Sequence, residues 1–274
     1  MIASRRSKAA ASNPNLKEVP PPREPSIVAW ARKAAGTDGR VDGTLMLVGG
    51  ADLLHFRLRV AQSHVRGDMQ PSCWSHVGVL RQMGQRVVLY EVPLDPPGGF
   101  RGMPETNGVQ AISVTRYEDP KRFPNVAVLR FPVDPAEIPR AIDRVRDERG
   151  MLDLGALILP WLGFAWGVGL PTNPLLGGNG IPSAAFVEAV FAALGVELTP
   201  GLATRSSCPE AIWLAAKWWH NYYAAQAAEP AATEAAGSAA PPATPMGFYW
   251  LGQRAAAVTA NGPDAATLRT KRRR

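Results

Sequence analysis

Cysteine is scarce in this sequence: Cys73 and Cys208 are the two examples among 274 residues. Two cysteines cannot build the disulfide framework on which small secreted domains depend. The first 22 residues contain basic side chains but no apolar stretch behind them, so they lack the pattern of a secretory signal. The sequence therefore predicts a protein of a reducing compartment, either cytoplasmic or assembled into a larger particle.

A long apolar run is also missing. The most apolar stretch, Leu154–Leu170, has seventeen residues without a charge, but it contains Pro160 and four glycines. A transmembrane helix needs about 20 apolar residues. We therefore expect this stretch to be buried or to lie at an interface rather than to span a membrane.

Recognisable ligand-binding motifs are absent as well. There is no phosphate-binding loop and no dinucleotide fingerprint. His55, His64 and His220 show no metal-ligand spacing with the cysteines or the acidic residues. The sequence thus predicts neither a cofactor nor a metal.

The net charge of +7 is concentrated at the two ends of the chain. Residues 1–40 hold eight Lys or Arg and three acids, and residues 252–274 hold six and one, so each end carries +5. The middle, with sixteen basic and nineteen acidic residues, carries −3. Basic arms of this kind contact nucleic acid, an anionic membrane or an acidic protein, although a solvated tail that aids solubility fits equally well. The oligomeric state is left open.

Composition divides the chain into four segments. Residues 1–41 are predicted to be a disordered basic arm, with one or two amphipathic turns at Ile27–Ala35, and residues 42–223 to be the folded domain. Residues 224–245 are almost all Ala, Pro, Thr, Glu and Gly, which predicts a flexible linker. Residues 246–274 combine an apolar patch, Met246–Gly252, with a basic tail. We expect the patch to dock on the body or on a partner.

Apolar periodicity predicts the elements of the folded domain. Strands are predicted at Gly43–Val48, Val109–Thr115 and Asn125–Phe131, and helices at Ala51–Ser63, Pro135–Glu148, Ile181–Leu194 and Cys208–Ala225.

The most informative stretch is Trp74–Pro93, where two runs rich in Val and Leu flank a polar turn, a pattern typical of a β-hairpin. If Leu80 faces Val87, then His76 faces Glu91, and opposed residues of an antiparallel pair lie about 5 Å apart on one face. A carboxylate beside a histidine orients the imidazole and raises its basicity, as a general base requires. A surface His–Glu pair at a strand edge would have the same sequence pattern.

The chain resembles a known family over roughly residues 42–215. The resemblance rests on five segments in this order: SHVGVL, YEV, NVAVLRF, PSAAFVEAVF and SCPEAIWLA. Their order resembles that of the circularly permuted papain-like hydrolases, the permuted branch of the NlpC-type cell-wall peptidases, which are related to the lecithin:retinol acyltransferases. In that family a strand histidine and a polar partner on the next strand precede a nucleophilic cysteine at the start of a later helix. The resemblance implies an α+β fold, in which helices pack against an antiparallel sheet.

By this resemblance, His76 takes the position of the general base, Glu91 that of its orienting partner and Ser183 that of the nucleophile. The family's cysteine is therefore a serine here. A helix N-terminus lowers the pKa of a thiol and so activates it as a nucleophile. The same position activates a serine hydroxyl far less, and the hydroxyl also needs an aligned base. Three interpretations of Ser183 are open. It is a helix cap in a protein that has lost the catalytic activity, a serine nucleophile in the fold of a thiol hydrolase, or a residue outside the family's site.

The two cysteines are weaker candidates for the nucleophile. Cys208 opens a helix before Pro209, so the helix dipole acts on it, but it aligns with a later segment of the family, and a small buried cysteine is the usual case. Cys73 precedes His76 by three residues without being directed at it.

Two functions remain open at this point. The first is a hydrolase or acyl transferase that acts on an amide, peptide, peptidoglycan-like or lipid acyl substrate through an acyl-enzyme at Ser183, with His76 and Glu91 as base and orienting group. The second is a catalytically inactive relative that binds a ligand, or acts in assembly through its basic tails. The serine favours the second function, and the retained His–Glu pair favours the first.

Overall fold

The chain folds as an antiparallel sheet with helices on both faces, an α+β architecture. The computed structural model describes residues 18–19, 26–34, 40–95, 108–131, 133–148, 152–167, 171–228, 248–251 and 257–259. The α+β class implied by the family resemblance is thereby confirmed.

The sheet is built around five central strands. Its strands are β1 (Glu18–Val19), β2 (Leu45–Gly49), β3 (His76–Met83), β4 (Arg86–Glu91), β5 (Gln110–Ser113), β6 (Asn125–Leu129), β7 (Phe248–Leu251) and β8 (Ala257–Thr259). They are ordered β1-β8-β7-β6-β2-β3-β4-β5, and every neighbouring pair is antiparallel. Strands β2 to β6 form one continuous block that ends at the edge strand β5, and the other three strands extend the sheet beyond β6.

The described residues also form α-helices that cover the sheet. These are α1 (Ile27–Ala34), α2 (Leu53–Ala61), α3 (Ile138–Asp147), α4 (Leu154–Trp166), α5 (Pro182–Ala193) and α6 (Pro209–Ala228). The helices predicted from periodicity are confirmed as α2, α3, α5 and α6. The start of α5 has Pro at its first position, where the missing N–H costs no hydrogen bond.

The apolar stretch that begins at Leu154 folds as the short helix α4. Leu157, Ile158 and Trp161 are buried against the rest of the domain. Among the described residues, no helix combines the length and apolar character that crossing a membrane requires. The burial of these three side chains agrees with the expectation that the stretch is buried.

The hairpin of β3 and β4 has a different register from the predicted one. Leu80 lies opposite Leu89 rather than Val87, because the strands are joined by a two-residue turn in which Gly84 has a φ of +59°. A shift of two residues keeps every side chain on its face of the sheet. His76 and Glu91 are therefore still on one face, but as diagonal rather than directly opposed neighbours.

The two faces of the sheet carry separate apolar cores. One core contains Val77 and Val79 of β3 together with side chains of α2 to α6. The other contains Leu80 and Leu89 together with α1 and two aromatic residues, Tyr117 and Phe123. Because strand side chains alternate between faces, His76 and Glu91 belong to the face that packs against α1 and the two aromatics.

Part of the segment predicted to be a disordered arm is a packed helix. In α1, Trp30 and Ala31 are buried, and the Arg32 side chain donates to the Gln82 side chain and the Gln85 carbonyl of the hairpin. The amphipathic turns predicted at Ile27–Ala35 are thus present as α1, within the segment 1–41 that was otherwise predicted to be disordered. Most of that arm and most of the predicted linker, residues 224–245, lie outside the described residues.

Residues of the apolar patch Met246–Gly252 supply a strand of the sheet that lies between β6 and β8. Its residues Phe248–Leu251 form β7, which pairs with β6 in a register that places Phe248 opposite Leu129. The patch thus docks on the body of the same chain, one of the two outcomes expected from the sequence.

Candidate functional site at the end of the sheet

A buried hydrogen-bonded triad lies where β3 begins and β4 ends. The His76 Nε2 atom lies 2.7 Å from Glu91 Oε2, and the Tyr117 hydroxyl donates to the same oxygen at 2.6 Å. A carboxylate accepts hydrogen bonds, so the His76 Nε2 carries the proton and its Nδ1 carries the lone pair. Glu91 is fully buried, and its other oxygen, Oε1, has no hydrogen-bond partner among the described residues.

The third member, Tyr117, remains a neutral donor. Burial, followed by the charge of Glu91 and the hydrogen bond to it, raises the pKa of Tyr117 well above its ordinary value. Tyr117 comes from the 3-10 helix that follows β5, and its ring stacks on His76 with centroids 6.2 Å apart. The sequence pattern gave no indication of this residue, because its position depends on how the segment after β5 packs.

The raised pKa of Tyr117 predicts a loss of stability at alkaline pH. Below a pH of about 10 this tyrosine is protonated in both the folded and the unfolded chain. Above that pH the unfolded chain loses the proton while the folded chain keeps it, so the free energy of unfolding falls as pH rises. Urea unfolding at about pH 8 and about pH 11 should show a larger loss for the natural protein than for Tyr117→Phe. Equal losses in the two proteins would contradict the assignment.

A second buried histidine, His55, lies next to this triad. It sits in the first turn of α2, where Asp52 caps the helix by accepting from the His55 backbone N–H. Its Nδ1 lies 2.9 Å from Ser75 Oγ, and its Nε2 lies 3.9 Å from Asp52 Oδ2 and 3.8 Å from Asp95 Oδ2. Burial lowers the pKa of His55, and the charges of Asp95 and then Asp52 act in the opposite direction.

The backbone beside His55 is adapted to its ring. A Cβ atom at Gly50 would collide with the His55 side chain, so Gly50 is the residue that leaves room for the imidazole. The sequence showed no metal-ligand spacing around His55, but in the structure Asp52 and Asp95 both approach it. The spacing of Asp52 and His55, three residues apart on a helix, was the available sequence signal. Asp95 could not be found in this way, since it follows β4.

The third predicted catalytic residue, Ser183, forms no hydrogen bond with the His–Glu pair. It lies in the first turn of α5 and is 1% exposed. Its Oγ has no hydrogen-bond partner among the described residues. Helix α5 belongs to the core that contains Val77 and Val79, whereas His76 points to the other face of β3. The structure thus brings together His76 and Glu91 and leaves Ser183 without a hydrogen bond to either.

The two thiols are not activated. Burial raises the pKa of Cys208 to about 12, even though this residue directly precedes α6. Burial also raises the pKa of Cys73, and the charge of Glu210 adds to the effect. The desolvation of each thiolate therefore exceeds the favourable effect of nearby donors and cations.

Two other buried carboxylates have structural partners. Glu188 of α5 accepts from the hydroxyls of Thr199 and Ser207, at 2.6 and 2.8 Å. Glu210 of α6 accepts from Ser72 and pairs with Arg66. In both cases burial raises the pKa of the carboxyl group, and the hydroxyl donors act against this rise. These residues tie the loop before α6 to the rest of the domain, and sequence periodicity did not single them out.

The arrangement provides an imidazole that is oriented by a carboxylate, and Ser183 is not hydrogen-bonded to it. His76 is held by a carboxylate through Nε2, which leaves Nδ1 able to accept a proton or a hydrogen bond. The Ser183 hydroxyl has no hydrogen-bond partner among the described residues, although a serine nucleophile needs an aligned base, and burial raises the pKa of both thiols. No protein-family model matches the chain, and no curated protein matches it.

Proposed function

We propose that this chain is a catalytically inactive relative of the permuted papain-like hydrolases, which acts as a binding or assembly protein. The observation that carries the proposal is the isolation of Ser183. Its hydroxyl is buried and forms no hydrogen bond within the described residues, so no base is in place to remove its proton. The thiols of Cys73 and Cys208 have raised pKa values and do not replace it.

The polar triad supports a binding role. The buried oxygen Oε1 of Glu91 has no donor among the described residues, and an unsatisfied buried acceptor costs about 1–3 kcal/mol. A ligand with an N–H or O–H group would satisfy this oxygen. The Nδ1 atom of His76 offers a second acceptor, so the site favours a ligand rich in donors.

The charge distribution supports a second contact with a macromolecule. Residues 1–40 and 252–274 each carry +5, while the middle of the chain carries −3. Basic segments of this density attract acidic surfaces at low ionic strength, and salt screens the attraction. The proposed partners of these segments are nucleic acid, an anionic membrane or an acidic protein.

The experiment that tests the proposal uses two reactive probes on the full chain. A fluorophosphonate labels activated serines, and iodoacetamide labels activated thiols. We expect no labelling of Ser183 above the level in Ser183→Ala, and slow labelling of both cysteines. Labelling of Ser183 that is lost in both Ser183→Ala and His76→Ala would overturn the proposal.

A serine hydrolase or acyl transferase is the second candidate, with Ser183 as nucleophile, His76 as base and Glu91 as orienting group. One observation favours it. The 2.7 Å contact between His76 and Glu91, backed by Tyr117, is the arrangement that a general base needs. Its substrate would be an amide, peptide, peptidoglycan-like or lipid acyl compound.

The variant Ser183→Cys separates the two candidates. If the protein is catalytically inactive, the new thiol should be buried like the Ser183 hydroxyl, with no base hydrogen-bonded to it, and should react with iodoacetamide no faster than Cys73 or Cys208. Mass spectrometry of the alkylated peptides gives the three rates in one sample. A faster rate at position 183 that His76→Ala removes would instead support the hydrolase.

A further inference from the structure

We propose that Asp52, His55 and Asp95 form a binding site for a divalent transition-metal cation of the Zn²⁺ class. The three residues come from the start of α2 and from the segment after β4, and one ligand atom of each lies within 4.8 Å of the others. This site is separate from Ser183 and does not depend on the function proposed above.

The distances suit a shared cation better than direct contact. The His55 Nε2 atom is 3.9 Å from Asp52 Oδ2 and 3.8 Å from Asp95 Oδ2, too far for a hydrogen bond. Ligand atoms around a tetrahedral Zn²⁺ with bonds of about 2.1 Å lie about 3.4 Å apart. Small side-chain rotations would therefore bring all three atoms to bonding distance of one ion.

The unpartnered nitrogen of His55 is the independent sign of a ligand. The His55 side chain is 4% exposed, and its Nε2 is buried without a hydrogen-bond partner while lying between the two carboxylates. A buried polar atom of this kind is costly unless something binds it. A cation bound by both carboxylates would satisfy it.

Hydrogen bonds on the other side of the ring set the tautomer that a metal needs. The Ser75 Oγ accepts from the Gly50 N–H at 3.1 Å and lies 3.2 Å from the Val48 carbonyl, to which its proton is donated. Ser75 then accepts from the Nδ1–H of His55 at 2.9 Å, which leaves the lone pair on Nε2. Histidine ligands of metals are usually held in this way by their second nitrogen.

The charges around the site are compatible with a cation. Each carboxylate is anchored: Asp52 Oδ1 by the His55 backbone N–H, and Asp95 Oδ2 by Arg116 at 3.1 Å. Arg116 offsets part of the negative charge, and His76 also faces this region, so we expect moderate rather than very tight affinity. The side chains of Asp52 and Asp95 are 48% and 25% exposed, which gives an ion a route from solvent.

The donor set identifies the class of metal. One imidazole nitrogen and two carboxylate oxygens suit Zn²⁺ and its neighbours in the first transition row, whereas Mg²⁺ and Ca²⁺ prefer oxygen donors alone. Three protein ligands leave at least one coordination position for water or another ligand.

The test is direct metal binding by the full chain after treatment with a chelator. Isothermal titration calorimetry with ZnCl₂, and the visible absorption of added Co²⁺, measure affinity and coordination without reference to activity. We expect one saturable site that is weakened at least tenfold in His55→Ala and in Asp52→Asn. Asparagine can still cap α2, so Asp52→Asn should fold normally. The exposed His64 provides the matched control, and His64→Ala should bind like the natural protein.

Two results would overturn the proposal. One is the absence of saturable Zn²⁺ binding by the natural chain. The other is saturable binding that Asp52→Asn and His55→Ala leave unchanged, which would place the ion elsewhere. If His55→Ala proves unfolded by circular dichroism, the comparison of Asp52→Asn with His64→Ala decides between these outcomes.

Discussion

The variant Glu91→Ala is expected to lower the free energy of unfolding by about 3–5 kcal/mol, the cost of leaving two buried donors unpaired and of creating a cavity. Glu91 is fully buried and accepts from both His76 and Tyr117. Its loss leaves two buried donors without an acceptor and opens a void at the end of β4. Urea unfolding followed by tryptophan fluorescence measures the change.

Two further variants serve as controls. One removes a carboxylate from the surface, and the other removes the charge of Glu91 but keeps its shape. Glu118→Ala removes an exposed carboxylate and should change stability by no more than about 0.5 kcal/mol. Glu91→Gln keeps the shape and one acceptor oxygen, so its effect should lie between those of the two alanine variants. Equal stability of Glu91→Ala and Glu118→Ala would show that the triad does not stabilise the fold.

The variant Phe186→Ala is expected to lower the free energy of unfolding by about 3–5 kcal/mol, because it creates a cavity in the core beneath α5. Phe186 is fully buried on this helix, three residues after Ser183. The matched control is Phe56→Ala on α2, where the side chain is 47% exposed. Chemical denaturation of both variants under the same conditions gives the comparison.

The control variant should lower the free energy of unfolding much less than the core variant does, because truncation of the half-exposed Phe56 leaves little empty space in the protein. A similar loss for the two phenylalanines would mean that α5 is not packed in the core as described. In that case the position of Ser183 relative to the sheet would also need revision. The two variants therefore test the packing on which the proposal of a catalytically inactive protein depends.

The period-two and period-3.6 patterns of the sequence were sufficient to predict most local elements. The hairpin, the strands around it and helices α2, α3, α5 and α6 follow from residues a few positions apart, which local sterics and amphipathicity decide. The His76–Glu91 contact could also be predicted. Alternation along a strand depends on parity alone, so the pair shares a face in the predicted register and in the observed one.

The register itself required the turn geometry. The sequence showed a polar turn with Gly84, but the choice of a two-residue turn, with Gly84 at a φ of +59°, moved Leu80 opposite Leu89. A change of two residues in register alters which side chains are direct neighbours without altering the apolar pattern. Periodicity could not distinguish the two registers for that reason.

Tertiary packing alone decided the chemistry of the candidate sites. The thiol of Cys208 precedes a helix, which favours the thiolate, yet its burial in the core raises its pKa to about 12. Asp95 approaches His55, and Tyr117 approaches Glu91, through contacts between segments that are distant in the chain. Helix α5 packs in the core that contains Val77 and Val79, and the Ser183 hydroxyl has no hydrogen-bond partner among the described residues. Burial and long-range contact depend on how all the elements assemble, and no local pattern of residues contains that information.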